Sequence, residues 1–150
     1  MRQLSFHFTL FDLTVSEEGG ALVSVGWGWG GAQDYTPLLC RAGKQIQDYL
    51  EGKRSTFDLP LRPLGTPFQQ RVWKAIKEIP FGQAVSYACL AKRINSSPRP
   101  VGAACGANPL PIIIPCHRVV ASNLGLGGYS GEGGLDTKQM LLDIEGYRGV

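Results

Sequence analysis

The sequence has few of the residues that build metal sites, disulfide frameworks and membrane spans. It contains four cysteines and two histidines in 150 residues, and no two cysteines form a Cys-x-x-Cys pair. No obvious set of four zinc ligands is therefore present, and no N-terminal zinc site can be assembled from His7 and Cys40. The longest aliphatic run, residues 112–114, lies between two prolines, whereas a membrane helix needs about 18 apolar residues. The first residues also lack the apolar segment of a signal peptide, so we expect a cytoplasmic protein.

Acidic residues are scarce in the middle of the chain. Residues 61–118 contain eight lysines and arginines and a single carboxylate, Glu78. Residues 1–60 carry five basic and seven acidic side chains, a balance of −2, and residues 61–150 carry ten and five, a balance of +5. A basic segment in a nearly neutral chain favours a polyanionic partner such as nucleic acid. An ordinary solvated surface is the alternative.

The first 60 residues have the pattern of a small α/β unit. Apolar residues alternate from Leu4 to Leu10 and then change phase, which predicts a strand with a bulge or bend. Residues 21–27 predict a second strand that completes a hairpin. Thr36 and Pro37 form the expected start of a helix that ends at Gly52. We therefore predict a small antiparallel sheet plus one helix in a domain over residues 1–60.

Residues 61–150 predict a mainly α-helical domain. A capping sequence at Thr66 opens the first helix, and two short helices on either side of a turn at residues 95–96 resemble a helix-turn-helix of winged-helix-like type. The second of these, over residues 98–107, consists largely of small residues. Its backbone can therefore approach another surface closely, or it can pack tightly against the core of its own domain. A last helix, starting near Asp136, ends at Glu145 and Gly146.

A cysteine and a histidine stand next to each other at Cys116 and His117, between β-branched runs that predict buried extended chain. A thiol has a pKa of about 8.5, so it needs a base or a positive field to act as a nucleophile. Neighbours on a strand point to opposite faces, so a proton could pass between them only through a turn or a bridging water. The histidine would need a carboxylate to orient it, and spacing alone does not choose among the five in this domain. A buried structural cysteine beside a hydrogen-bonded histidine is the alternative.

Residues 115–119, Pro-Cys-His-Arg-Val, resemble the active-site signature of the O6-alkylguanine-DNA alkyltransferases, also called methylated-DNA–protein-cysteine methyltransferases. The resemblance extends over about residues 60–148 and is only loose before them. Further matching segments follow in family order at residues 66–68, 72–73, 79–82, 86–87, 97–99, 101–102, 108–109, 127–130 and 141–146.

The resemblance implies a direct-reversal DNA repair enzyme that transfers an alkyl group to one of its own cysteines. Cys116 would be the acceptor, His117 would deprotonate it through a water, and Glu145 would orient His117. Tyr87 would donate a proton toward the leaving guanine, and Asn108 would order the active-site turn. The thioether product is stable, so the protein would act once, as a methylated-DNA–protein-cysteine methyltransferase without metal or cofactor.

The family flips its damaged base out of the duplex, and the resemblance carries this over to the slim helix. That helix would lie in the minor groove, and Arg99 would replace the extruded base in the stack. The resemblance assigns DNA contacts to Ser97, Arg99, Val101, Gly102, Ala103, Cys105 and Gly106. It assigns a base pocket to Pro111, Tyr129 and Ser130. We therefore expect a nucleoid-associated monomer whose partner is double-stranded DNA containing O6-alkylguanine, with no membrane association.

Two other functions are compatible with parts of this pattern. A non-catalytic protein could bind alkylated DNA and signal to another repair pathway, but such proteins lack the acceptor that Cys116 would provide. A cysteine hydrolase could use Cys116 and His117, but it would leave the basic segment and the slim helix unexplained.

Overall fold

The computed structural model describes residues 1–121 and 134–147. The chain divides into two compact units, residues 1–64 and 65–150. The sequence predicts the domain boundary near residue 60. In the structure, residues 61–64 still belong to the first unit, because the segment around Pro60 and Arg62 pairs with its sheet. Leu22 donates its backbone N–H to Pro60 and accepts from the backbone N–H of Arg62, both at 2.8 Å.

The first unit is built on a three-stranded antiparallel sheet in the order β1-β2-β3. The strands are β1 Arg2–His7, β2 Asp12–Glu18 and β3 Ala21–Trp27. The sequence predicts one strand that continues past Leu10 through a bulge or bend, but the chain reverses there and Leu4 pairs with Val15 across β1 and β2. A tight turn changes the phase of an apolar alternation just as a bulge does, so the pattern alone could not separate them. The register shift lies instead between Ser16 and Glu17.

One helix, α1 (Pro37–Leu50), packs against this sheet. It begins where the sequence predicts, because the Thr36 side chain accepts the backbone N–H of Leu39 at 3.1 Å. Gly43 allows this helix to approach the sheet closely, since a Cβ at this position would overlap the ring of Phe6. The buried stripe of the helix consists of Leu39, Ala42, Gly43, Gln45, Ile46 and Tyr49.

The second unit is mainly helical. Its helices are α2 Pro67–Lys77, α3 Tyr87–Arg93, α4 Pro98–Gly106 and α5 Leu135–Ile144, and its short parallel strands are β4 Val85–Ser86 and β5 Val119–Val120. The capping box at Thr66 is present, and the Trp73 indole N–H donates to the Ala104 carbonyl at 2.9 Å, which joins α2 to α4. No helix within the described part of the chain is long and apolar enough to cross a membrane.

The segment that carries the Cys-His pair is buried but not extended. Residues 110–120 are all buried, as the β-branched runs suggest, yet residues 111–114 form a turn in which Ile112 has a φ of 74°. Residues 116–118 form a 3₁₀ turn, Cys116–Arg118, and only the two residues of β5 are extended. The prediction of a strand here is wrong because the apolar residues fill a core between helices, where burial does not require sheet pairing.

Candidate active site and DNA-contact helix

Cys116 is the first residue of the 3₁₀ turn, and only 7% of the surface of this cysteine is exposed. Burial raises the pKa of its thiol, because a thiolate loses its hydration there. A hydrogen bond from Asn108, the charge of Lys138 and a backbone hydrogen bond all act in the opposite direction on this pKa. The thiol is therefore protonated at rest, although the polar groups around it favour the anion.

His117 is completely buried and its Nε2 lies 2.6 Å from Glu145 Oε2. An ionised carboxylate only accepts hydrogen bonds, so the proton belongs on Nε2 and the lone pair on Nδ1. Burial lowers the pKa of His117 below its usual range, against the raising effect of Glu145. The imidazole is therefore neutral near pH 7, and any proton taken from the thiol arrives at Nδ1.

Glu145 is held in place by a buried network that sequence reasoning missed. Arg118 donates from Nε to Oε1 at 2.8 Å and from one terminal nitrogen to Oε2 at 3.0 Å. Its other terminal nitrogen donates to the Ile79 carbonyl at 2.7 Å. The Gly82 backbone N–H adds a bond to Oε1 at 3.1 Å. These contacts fix both carboxylate oxygens, so the carboxylate can orient His117.

Gly82 can make that contact because of its backbone conformation. Its φ is +83°, a backbone angle that residues other than glycine rarely adopt. An added Cβ would also lie 3.2 Å from the Glu145 carbonyl oxygen. The glycine ends the turn after α2, so a local turn signal in the sequence has a second role at the site.

Asn108 ties together the turn that leads to Cys116. Its side-chain nitrogen donates to the Ile114 carbonyl at 2.8 Å, and its side-chain oxygen accepts the Leu110 N–H at 2.9 Å. The same side chain bonds to Cys116. One amide therefore satisfies the backbone of a buried turn and contacts the thiol.

Tyr87 and Lys138 lie close to each other, and the charge of Lys138 acts on the Cys116 thiol. Tyr87 is the first residue of α3 and is half-buried. Lys138, on α5, is completely buried and donates from Nζ to the Val119 carbonyl at 2.7 Å. Its ammonium lies 5.7 Å from the centre of the Tyr87 ring. Sequence reasoning missed Lys138, although a lysine on the inner face of the last helix was a signal that could have found it.

Helix α4 presents one stripe of small residues with an arginine at its start. Arg99, Ala103 and Gly106 are exposed and Gly102 is half-buried, while Ser97 is exposed just before the helix. The assignment of Val101 and Cys105 to the DNA-contact face is wrong, because they are only 0% and 6% exposed. Helical periodicity turns these two positions toward the core of the domain, away from the stripe.

The family model for the DNA-binding domain of 6-O-methylguanine DNA methyltransferase matches residues 67–147. This chain belongs to that family. The constitutive methylated-DNA–protein-cysteine methyltransferase of Bacillus subtilis is 48% identical over 112 residues, 73% of this chain and 67% of that protein. The inducible one is 50% identical over 103 residues, 67% of this chain and 56% of that protein.

A solved structure extends the similarity to the first unit. The crystal structure of Mycobacterium tuberculosis OGT in complex with DNA is similar with a TM-score of 0.86 at 35% sequence identity. The similarity covers 97% of this chain and 92% of that one. The two-part architecture predicted from the sequence, a small sheet with a helix followed by a mainly helical domain, is therefore that of the family.

The base pocket that the family resemblance implies is only partly within the described residues. Pro111 is buried in the turn before Cys116. Tyr129 and Ser130, the other two pocket residues that the family resemblance implies, lie outside the described residues.

Over residues 1–121 and 134–147, no three His, Cys, Asp or Glu side chains come together as a metal site requires.

Proposed function

We propose that this protein repairs O6-alkylguanine in double-stranded DNA by transferring the alkyl group to Cys116. The observation that carries this proposal is a buried cysteine followed directly in the chain by a buried, neutral histidine whose Nε2 is hydrogen-bonded to a fixed carboxylate. A helix with a slim exposed face and an arginine at its start belongs to the same unit. The B. subtilis relatives bear the name of this activity.

The transfer itself needs a base, an acceptor and a proton donor. His117 takes the thiol proton at Nδ1 through a bridging water, and the Cys116 thiolate attacks the alkyl carbon. The S–C bond forms as the bond from carbon to O6 breaks, and the electron pair stays on the guanine. Tyr87 donates a proton toward that guanine. Glu145 keeps His117 in the tautomer that can accept at Nδ1.

The burial of Cys116 requires that the damaged base leave the duplex. Flipping costs a few kcal/mol, least for a base that pairs poorly. Arg99, exposed at the start of α4, would fill the gap in the base stack, and the stripe of small residues would lie in the minor groove. Working on chromosomal DNA in this way would place the protein in the cytoplasm, at the nucleoid.

Mass spectrometry of the intact protein tests the activity directly. After incubation with a duplex containing O6-methylguanine, we expect one added methyl group, located on the peptide of Cys116, even with damaged DNA in excess. The thioether has no route to hydrolysis, so turnover stops after one event. Binding without a mass change would identify a non-catalytic lesion-binding protein, and absence of both would contradict the proposal.

Arg99→Ala should slow repair more than it weakens binding. Without the inserted side chain, the cost of base flipping is no longer offset, and we expect the single-turnover rate to fall about 10- to 100-fold. Duplex affinity should change by less than about threefold, because most affinity comes from other phosphate contacts. Arg93→Ala, an exposed arginine on α3, is the matched control. An unchanged rate in Arg99→Ala would refute the stacking role.

A further inference from the structure

Before the reaction, the residues assigned so far offer the Cys116 thiolate hydrogen bonds but no compensating positive charge. The thiol must ionise in a site where burial raises its pKa. His117 is neutral before the reaction, since burial lowers its pKa, so it provides no positive charge at that stage. A buried anion is stable only beside a compensating charge or strong hydrogen-bond donors.

Lys138 brings a cation to this position from another element. It lies one turn into α5, which packs on the 3₁₀ turn of Cys116 and His117. Its side chain is 0% exposed, and the 2.7 Å bond from Nζ to Val119 joins it to the residue that directly follows the 3₁₀ turn. The centre of the Tyr87 ring lies 5.7 Å from Nζ of Lys138. The ammonium is thus held among the groups proposed to react.

We propose that Lys138 is a positioning residue whose buried ammonium stabilises the Cys116 thiolate during alkyl transfer. This inference rests on the proposed function and adds a residue to it. The thiol proton goes to His117 Nδ1, Lys138 keeps its three protons, and no bond to Lys138 forms or breaks. The lysine acts only through its charge at the sulfur.

The groups that face Lys138 support this electrostatic role. They are Cys105 from α4, Cys116 and His117 from the 3₁₀ turn, and Tyr87 from α3. The charge of Lys138 lowers the pKa of both thiols, but burial still raises the pKa of Cys105 to about 12. Cys116 alone also receives the hydrogen bond from Asn108. The cation therefore acts on two thiols and only one is prepared to ionise.

The pH dependence follows from the lysine. Burial lowers the pKa of Lys138 to about 8, while the neighbouring thiols act to raise it. A lysine is charged below its pKa, so the ammonium is present at neutral pH and is lost as the pH rises through about 8. Its support for the thiolate should be lost over the same range.

Alkylation of the free protein by iodoacetamide, followed by mass spectrometry of each cysteine peptide, measures this effect without DNA. The midpoint of the pH profile reports ionisation of Cys116, and the plateau at high pH reports its accessibility. In Lys138→Gln, which keeps an N–H donor without the charge, we expect Cys116 labelling to slow below about pH 8, where the ammonium is present in the unmodified protein. Labelling at pH 7.5 should then fall about tenfold. Lys138→Arg should stay within about threefold of the unmodified protein.

Two controls separate charge from structure. Lys77→Gln removes an exposed lysine from α2 and should leave the Cys116 profile unchanged. The exposed Cys40 and Cys89 should label equally in every variant. If folded Lys138→Gln labels Cys116 at pH 7.5 as fast as the unmodified protein does, or if Lys138→Arg slows that labelling as much as Lys138→Gln does, the inference is overturned.

The reverse coupling provides a test that does not depend on folding of a Lys138 variant. The thiol acts to raise the pKa of Lys138, so in Cys116→Ser the Lys138 pKa, followed by side-chain NMR, should be lower. An unchanged value would overturn the inference. Methyl transfer by the unmodified protein, measured in parallel, tests the proposed function separately: transfer without any lysine effect removes only this inference, and a lysine effect without transfer removes only the proposed function.

Discussion

Replacing Cys116 with serine should abolish methyl transfer while the damaged duplex still binds. A serine hydroxyl does not form an anion under conditions in which a thiol does, and this site is buried. We expect the single-turnover rate to fall by at least about 1,000-fold, a change of about 4 kcal/mol in the activation barrier. Affinity for the duplex should change little, because the exposed stripe of α4 is untouched.

Cys105→Ser is the matched control for this change. Cys105 is also buried, and its thiol has a pKa of about 12, so it should not serve as acceptor and its variant should keep the transfer. Mass spectrometry of the product distinguishes the cysteines. A methyl group found on another cysteine of the Cys116→Ser variant would move the acceptor elsewhere and contradict the proposed mechanism.

Glu145→Gln should damage both stability and transfer. The neutral amide leaves the buried guanidinium of Arg118 without its counter-charge, and breaking a buried pair in this way costs about 3–5 kcal/mol of unfolding free energy. The amide also no longer compels His117 to hold its proton on Nε2. We expect transfer to slow about 100-fold or more, within the range of lost general-base catalysis. Urea unfolding and single-turnover kinetics measure the two effects.

A second substitution separates the two losses. Adding Arg118→Met to Glu145→Gln removes the uncompensated charge, and unfolding free energy should recover while transfer stays slow. Asp143→Asn makes the same chemical change at an exposed site near the end of α5 and should affect neither quantity. If Glu145→Gln transferred at the normal rate, His117 would not need the carboxylate and the proposed base would be wrong.

Much of the helical framework could be predicted because its signals are local. A capping residue followed by proline marks the start of α1 and α2, and the side-chain bonds of Thr36 and Thr66 are present in the structure. Backbone N–H groups at a helix start need acceptors, so a threonine followed by proline indicates in the sequence where a helix begins. The strand alternation after Leu10 was less informative, since a turn and a bulge change its phase in the same way.

The site was only partly predictable. Cys116 and His117 adjoin each other in the chain, so their pairing was visible, but a 3₁₀ turn replaced the expected strand. The two faces of α4 were not distinguished, and Val101 and Cys105 were placed on the wrong one. Which side of a short helix of small residues is buried depends on its neighbours, because such a helix has little amphipathic pattern to reveal it.

The order of the helices and the adjacency of Cys116 and His117 in the chain were determined by the sequence itself, because capping, periodicity and adjacency act over a few residues. The tertiary structure decided which charges meet at that thiol. Arg118 reaches Glu145 from 27 positions away, and Lys138 reaches Val119 from 19 positions away. A buried charge is stable only where the fold provides its partner, and no local pattern specifies which partner that is.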